Sequence, residues 1–359
     1  MRPGPRTFVT RAEARLSLRS AESDLARGQW LDHRLGEITL QEWSTRYLAT
    51  TAALKPKTRA DYASLLRTVI LPRLGTRSVG SLRQVDVAEW TAQQSVRGLS
   101  ASRVRQAYQL LSQIMNAAAL SGVISATPCV AVRRPRLPEA EPTILTLGEL
   151  SALIAAVDAG HRLLVATMAY TGVRWGEAAA LRRRSVDLGR GRLTVAESLA
   201  DVNGKQLFGE TKTHQQRTVT LPTFLVEALA THLAGLGAGP ATLLFTSPQG
   251  SPLRHSNFLR RTWQPAIKKA GLAGVTPHDL RATHASLLVD EGFSVIDVGA
   301  RLGHARATVT TRHYARPVEG RDRRIADCLE ALHQADPGAA PSATVARLWH
   351  DHESGKPPN

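Results

Sequence analysis

Six side chains in the second half of this 359-residue chain are of types that suit work on a phosphodiester. Arg174 stands in Thr171-Gly-Val-Arg-Trp-Gly-Glu177, where a glycine turn after a buried helix can aim the guanidinium into a cleft and Glu177 can brace it. Lys212 lies in Thr211-Lys-Thr-His-Gln-Gln-Arg217 between two predicted strands, which puts it on the tip of a turn, a place where lysine is otherwise an ordinary solvated group. His278-Asp-Leu-Arg281 spaces two donors by one helical turn, so both can reach one anion. Leu302-Gly-His304 sets a histidine after a glycine break, and Arg312-His-Tyr314-Ala-Arg316 supplies a phenol at a predicted helix end.

Taken together, Arg174, Lys212, His278, Arg281, His304 and Tyr314 are cations and neutral donors with one phenol, and no acidic cluster accompanies them. A two-metal phosphodiesterase needs several carboxylates to hold its ions, and a protease-like triad needs a carboxylate-oriented histidine beside serine or cysteine. Two arginines, a lysine and two histidines suit a different task, the stabilisation of a pentacoordinate phosphorane without a metal. Tyr314 is the covalent nucleophile such a set allows. With an ordinary phenol pKa of about 10 it must shed its proton during attack, helped by the positive field or by a histidine. A metal site on His278, Asp279 and His284 lacks further ligands at matching spacing, and no glycine loop of the nucleotide-cradling kind occurs, so neither metal nor cofactor is expected.

The elements that must carry these groups follow from periodicity. After a proline-rich stretch, Arg133 to Pro142, helices are predicted over 147–158 and 161–170. The period then shifts to that of strands at 192–197, 205–208 and 217–221, before helices resume at 223–234, 256–270, 277–291, 294–302 and 306–313. Ahead of the stretch, capping boxes are expected at Thr39 with Glu42 and at Asp86 with Glu89. A helix through Ala60, Leu65, Leu66, Val69 and Ile70 should stop at Pro72. A longer one after Ser102 aligns Val104, Ala107, Tyr108, Leu111, Ile114, Met115 and Ala118. Tyr108 and Tyr170 sit on apolar stripes and read as core. Near the N-terminus a short strand, Thr7 to Thr10, precedes a helix whose Arg11, Arg15 and Arg19 form a basic stripe, suited equally to phosphates and to water.

Lys and Arg number 46 against 30 Asp and Glu, a formal charge of +16 spread along the chain, which points to a polyanionic partner. No apolar run reaches the roughly 20 residues of a membrane span, and the basic N-terminus lacks the apolar core of a secretory signal. Two cysteines, Cys129 and Cys328, exclude a disulfide scaffold and suit a reducing compartment.

The ordered set arginine, lysine beside strands, His-x-x-Arg, Gly-His and tyrosine, carried by Arg174, Lys212, His278 with Arg281, His304 and Tyr314, resembles the tyrosine recombinase (phage integrase) family, in particular the actinobacterial prophage type. The resemblance implies a mainly α fold with a small antiparallel β-sheet, in which a helical, SAM-like core-binding domain (38–130) and a catalytic domain (143–330) are joined by a linker (131–142). A shortened, arm-binding-like basic segment (1–37) and a flexible tail (331–359) complete the expected division. Arg316 and Pro317 depart from the histidine often found after the tyrosine in the family.

What the resemblance implies about function is site-specific breakage and rejoining of double-stranded DNA through a 3′-phosphotyrosyl intermediate, integrating or excising a mobile element such as a prophage. Tyr314 would attack the scissile phosphate, Arg174 and Arg281 would clamp its oxygens, and Lys212 would protonate the leaving 5′-oxygen. His278 and His304 would orient the phosphate or move a proton, with Glu177 behind them. The expected partners are attachment-site DNA, three further copies in a synaptic homotetramer, and a host bending protein or excision factor, in the cytoplasm at the nucleoid. Two other readings stay open at this point: a housekeeping recombinase that resolves chromosome dimers, and a DNA-binding protein that retains the fold without the catalysis.

Overall fold

The structure, a computed structural model, describes residues 10–26, 32–137, 142–211 and 216–303. The segment Thr7 to Val9, Lys212, the predicted helix at 306–313, His304, Tyr314, Cys328 and the tail lie outside the described residues. The first element among the described residues is helix α1 (Arg11–Ala26), on which Arg11, Arg15 and Arg19 are exposed.

A helical bundle follows, made of α2 (Leu40–Thr50), α3 (Pro56–Leu65), α4 (Leu71–Leu74), α5 (Gln84–Val96) and α6 (Ala101–Leu120). Thr39 caps α2 as its sequence predicts, its hydroxyl accepting from Glu42 N while the Glu42 carboxylate accepts from Thr39 N. The start of α5 differs from expectation. Asp86 is the third residue of the helix and its carboxylate accepts from Arg83 N at 2.8 Å, so the helix starts one turn earlier than Asp86 with Glu89 implies, with only the carboxylate half of a box, since the Arg83 side chain has no acceptor to return the bond. Pro72 also fails to stop the third helix. A single π-turn, Leu66–Ile70, widens the backbone just ahead of the proline and the chain continues helically to Leu74. The apolar stripe of α6 packs inward as its spacing dictates, and Trp90, 1% exposed, donates its indole N–H to Val69 O across the bundle. Burying each such large side chain contributes about 1.5–3 kcal/mol.

After the extended stretch come α7 (Leu147–Ala156), α8 (Ala159–Thr171) and the single turn α9 (Trp175–Ala178). The strands are β1 (Val186–Asp187), β2 (Arg192–Val195), β3 (Glu197–Val202), β4 (Lys205–Glu210) and β5 (Arg217–Thr220). The predicted strand 192–197 is thus two, broken at Ala196 between β2 and β3. One antiparallel sheet has the order β1-β2-β5, and β3 pairs with β4 in a separate hairpin turned at Asn203-Gly204. The strands on either side of Lys212, β4 and β5, belong to different sheets, and the expected turn tip itself lies outside the described residues. The last elements among the described residues are α10 (Thr223–Ala234), α11 (His255–Phe258), α12 (Gln264–Lys269), α13 (Pro277–Asp290) and α14 (Val295–Leu302). The predicted helix over 256–270 is interrupted by a second π-turn, Leu259–Trp263, again shortly before a proline, Pro265.

A small apolar cluster, Ala282 to Leu302, packs α14 against α13, and two large ones hold these parts. One spans Leu40 to Val132, with Cys129 buried in it, and the other runs from Leu145 to Leu280 around Trp263. Tyr108 is buried in the first, and Tyr170 packs half-buried against the second. Lys55, ahead of α3, reaches across to the second part and donates to Thr211 O at 2.8 Å. No helix of the described residues is long and apolar enough to cross a membrane.

Candidate active site

Helix α8 ends at Gly172 in the left-handed conformation (φ +66°), and two residues later Arg174 caps α9. Glu177 holds that arginine twice: one carboxylate oxygen accepts from Arg174 N at 3.0 Å, the other from Arg174 Nη1 at 2.9 Å. Because a capping carboxylate in the first turn fixes both the backbone and the side chain of the same residue, Arg174 leaves α8 in a set direction. Glu177 is only 2% exposed. Burial alone would raise its pKa, but the hydrogen bond and charge of Arg217 and then those of Arg174 outweigh it, and the carboxyl is brought down to about 2. It is an anion at every physiological pH.

Arg281 comes from the second turn of α13 and is 2% exposed. Its Nη1 donates to Gly172 O at 2.6 Å and its Nη2 to Leu302 O at 2.7 Å, so the guanidinium is stretched between the end of α8 and the end of α14. Two carbonyls in that fork fix its plane as a lysine ammonium could not be fixed. His278, one turn earlier on the same helix, is exposed at the rim. Arg174, His278 and Arg281 line one cleft of ≈ 510 Å³, together with Trp175, His255, Trp263 and the Val275–Pro277 approach to α13. The rings of Trp175 and His255 lie 5.2 Å apart on its wall.

Three of the six expected residues are thus brought to one cleft, with Glu177 behind Arg174. Lys212, His304 and Tyr314 lie outside the described residues, but the segment leading to His304 ends beside this site. Gly303, in the left-handed conformation (φ +69°), follows α14 directly beside Arg217. Thr211, at the exit of β4, is buried and held by Lys55.

Two cations that spacing alone does not single out also belong here. Arg217 donates through Nη2 to Glu177 Oε2 at 2.5 Å, with its side chain 8% exposed. A period-2 signal was available, since Arg217 has the parity of the buried Val219 on β5. Arg301 donates to His284 Nε2 at 3.1 Å and to the carbonyls of Tyr170 and Thr220. With Nε2 accepting, His284 Nδ1 carries the hydrogen and donates to Ala169 O at 3.0 Å. Burial, then the charge of Arg301, holds His284 neutral with a pKa of about 4. The histidine is a strut between α8, α13 and α14, remote from any metal role. Among the described residues no group of three or more His, Cys, Asp or Glu gathers as metal ligands do.

The arrangement presents hydrogen-bond donors of fixed direction to a cleft of positive potential, which suits a phosphate whose negative charge grows during reaction. The family model "Phage integrase family" matches residues 143–321. The chain is 29% identical over 342 residues to the integrase of Mycobacterium phage D29, covering 92% of this chain and 90% of that integrase. It is 30% identical over 301 residues to the integrase of Mycobacterium phage L5, covering 82% and 80%. Among solved structures, that of the Tn1549 transposon integrase in complex with a circular intermediate DNA shares the fold, with a TM-score of 0.72 at 19% identity over 81% of this chain and 99% of that one.

Proposed function

Since the chain belongs to the phage integrase family, and is by that membership a site-specific tyrosine recombinase, we propose that it cleaves and rejoins double-stranded DNA at the Arg174–Arg281 cleft, inserting or excising a mobile element. The observation that carries this reading is the convergence of Arg174, His278 and Arg281, from two separate elements, on one cleft. In the proposed reaction Tyr314 Oη forms a bond to the scissile phosphorus while the bond from phosphorus to the 5′-oxygen breaks. The phenol proton leaves to a histidine or to water, and Lys212 gives a proton to the departing 5′-oxygen. The product is a 3′-phosphotyrosyl ester, and attack on it by a 5′-hydroxyl of the partner strand reverses the chemistry with no net loss of bond energy. Neither nucleotide hydrolysis nor a metal enters that balance.

The roles follow from the geometry around the cleft. Arg174, held by Glu177, and Arg281, held by Gly172 and Leu302, clamp the non-bridging oxygens. His278 at the rim donates to the same phosphate, and His304, next after Gly303 in sequence, is assigned the same task. The two large apolar clusters support a division into a core-binding part, 38–130, and a catalytic part, 143–330, connected by 131–142, with 1–37 and 331–359 outside both. In that division the net charge of +16 serves binding across a duplex by both parts, with four copies in the synapse and with host bending or excision factors as accessory partners. The proposed compartment is the cytoplasm, at the nucleoid.

A nicked suicide substrate tests the reaction, because loss of the short product strands the covalent adduct. The parent chain should yield a DNA-linked species that survives denaturant and is destroyed by protease, and Tyr314→Phe should yield none while binding the same DNA. An adduct formed by Tyr314→Phe, or mapped to Tyr170 or His313, would overturn the assignment of the nucleophile.

A further inference from the structure

We infer that Arg217, at the start of β5, is a positioning residue of this active site, acting through Glu177 on Arg174 and through Gly303 on the segment that leads to His304. The inference rests on the recombinase reading above and adds to it a residue that reading does not use.

Three segments meet at this one guanidinium. Its Nη2 donates to Glu177 Oε2, the oxygen that also accepts from Arg174 N. Its stem lies against Gly303, where an added Cβ would stand 2.8 Å from Arg217 Cδ and 3.2 Å from Nη1. Its own backbone opens the strand that follows residues 212–215. The remaining donors, Nε and Nη1, are buried and have no hydrogen-bond partner among the described residues. Native proteins rarely leave buried donors unpaired, because the desolvation of each opposes folding. A residue serving stability alone would be better replaced by an apolar one of similar size. A buried cation kept at that cost points to a task the charge itself performs.

That task is to hold Glu177 as an anion. The charged groups facing Glu177 are Arg174 from its own turn and Arg217 from β5, and Arg217 acts more strongly of the two. Without Arg217 the carboxyl keeps its burial and loses its stronger partner, so its pKa moves up toward and past the ordinary carboxylate range. A protonated Glu177 no longer offers two full acceptors to Arg174, and the clamp loosens. Lysine at 217 would keep the charge and lose the flat edge that lies over Gly303.

The test compares Arg217→Met, Arg217→Lys, Glu177→Gln and the pair Arg217→Met with Glu177→Gln, by two measurements. In single-turnover cleavage of the nicked substrate, Arg217→Met should be about 10–100-fold slower than the parent at neutral pH, with DNA affinity little changed. Its rate should fall further as pH drops, along an acid limb beyond any the parent shows and one that the double variant loses. Arg217→Lys should restore the parent's pH profile. In thermal melting without DNA, Arg217→Met should lose stability as pH rises from 4 to 7 relative to the double variant, because a raised carboxyl pKa means that the folded state holds the proton the unfolded state releases. If the parent forms no adduct, the recombinase reading fails while the melting series still decides the Arg217–Glu177 pair. Parent-like rates and pH profiles in Arg217→Met, or melting curves unchanged by the second substitution, would overturn the inference. So would a loss of cooperative melting by Met and Lys variants alike, which would make Arg217 a structural prop.

Discussion

Gly172→Ala perturbs the one point where the end of α8, Arg281 and α14 touch. Two costs arise there. The residue has φ +66°, where an L side chain costs about 1–2 kcal/mol. The new methyl would also overlap Leu302 Cδ2 and stand 2.9 Å from His284 Cδ2. Neither neighbour has room to yield, since Leu302 is fully buried and the His284 ring is held at both nitrogens. Forcing a methyl into such a place adds about 1–3 kcal/mol. Gly274→Ala isolates the first cost: its φ is +73°, and nothing lies within 4 Å of its Cβ position. With about 2–4 °C of Tm per kcal/mol in a domain of this size, Gly172→Ala should melt about 2–12 °C below Gly274→Ala. Cleavage should separate them further, because Gly172 O and Leu302 O are the two acceptors that hold Arg281. The assay is calorimetry together with single-turnover cleavage at a temperature where both variants are folded. Equal melting points and equal cleavage rates would refute the claim that Arg281 is aimed by a packed contact between these two helix ends.

Other outcomes follow from the same geometry. His284 has a folded pKa of about 4 against an ordinary 6.5, so the unfolded state takes up its proton first, and stability should decline as pH falls from 6.5 toward 4. The loss over that window is on the order of 3 kcal/mol, and denaturant midpoints at pH 7 and 4.5 should show it shrinking in His284→Gln. Glu177 acts in a lower window, its contribution present above about pH 4.5 and lost only toward pH 2. Lys212→Ala should slow cleavage by about 10²–10⁴-fold, and a substrate with a 5′-bridging sulfur, whose leaving group needs no proton, should largely restore it. No rescue would return Lys212 to an ordinary surface role. Cleavage should proceed in EDTA, since cationic donors serve the phosphate, and restoration by magnesium of an activity lost on chelation would contradict that.

Residue type and order alone carried the family resemblance and the mainly helical content, because these depend on local periodicity and on short motifs that chemistry keeps together. The Thr39–Glu42 box and the α6 stripe were legible for that reason. Local rules misjudged Pro72 and Asp86: a π-turn lets a helix pass a proline, and a cap belongs to whichever residue tertiary packing leaves outside the first turn. The pairing of β2 with β5, which skips the local β3–β4 hairpin, could not be read from strand order, since only contacts distant in sequence choose it. The same holds within the cleft. The role proposed for Arg174 and Arg281 on one phosphate was a matter of motif, whereas what aims them was not: a carbonyl at Gly172, another at Leu302, and an arginine of β5 behind Glu177 become neighbours only when α8, α13, α14 and the sheet pack together. Main-chain acceptors have no side-chain signature, and a buried arginine on a four-residue strand looks like any other charge until its partner is in place.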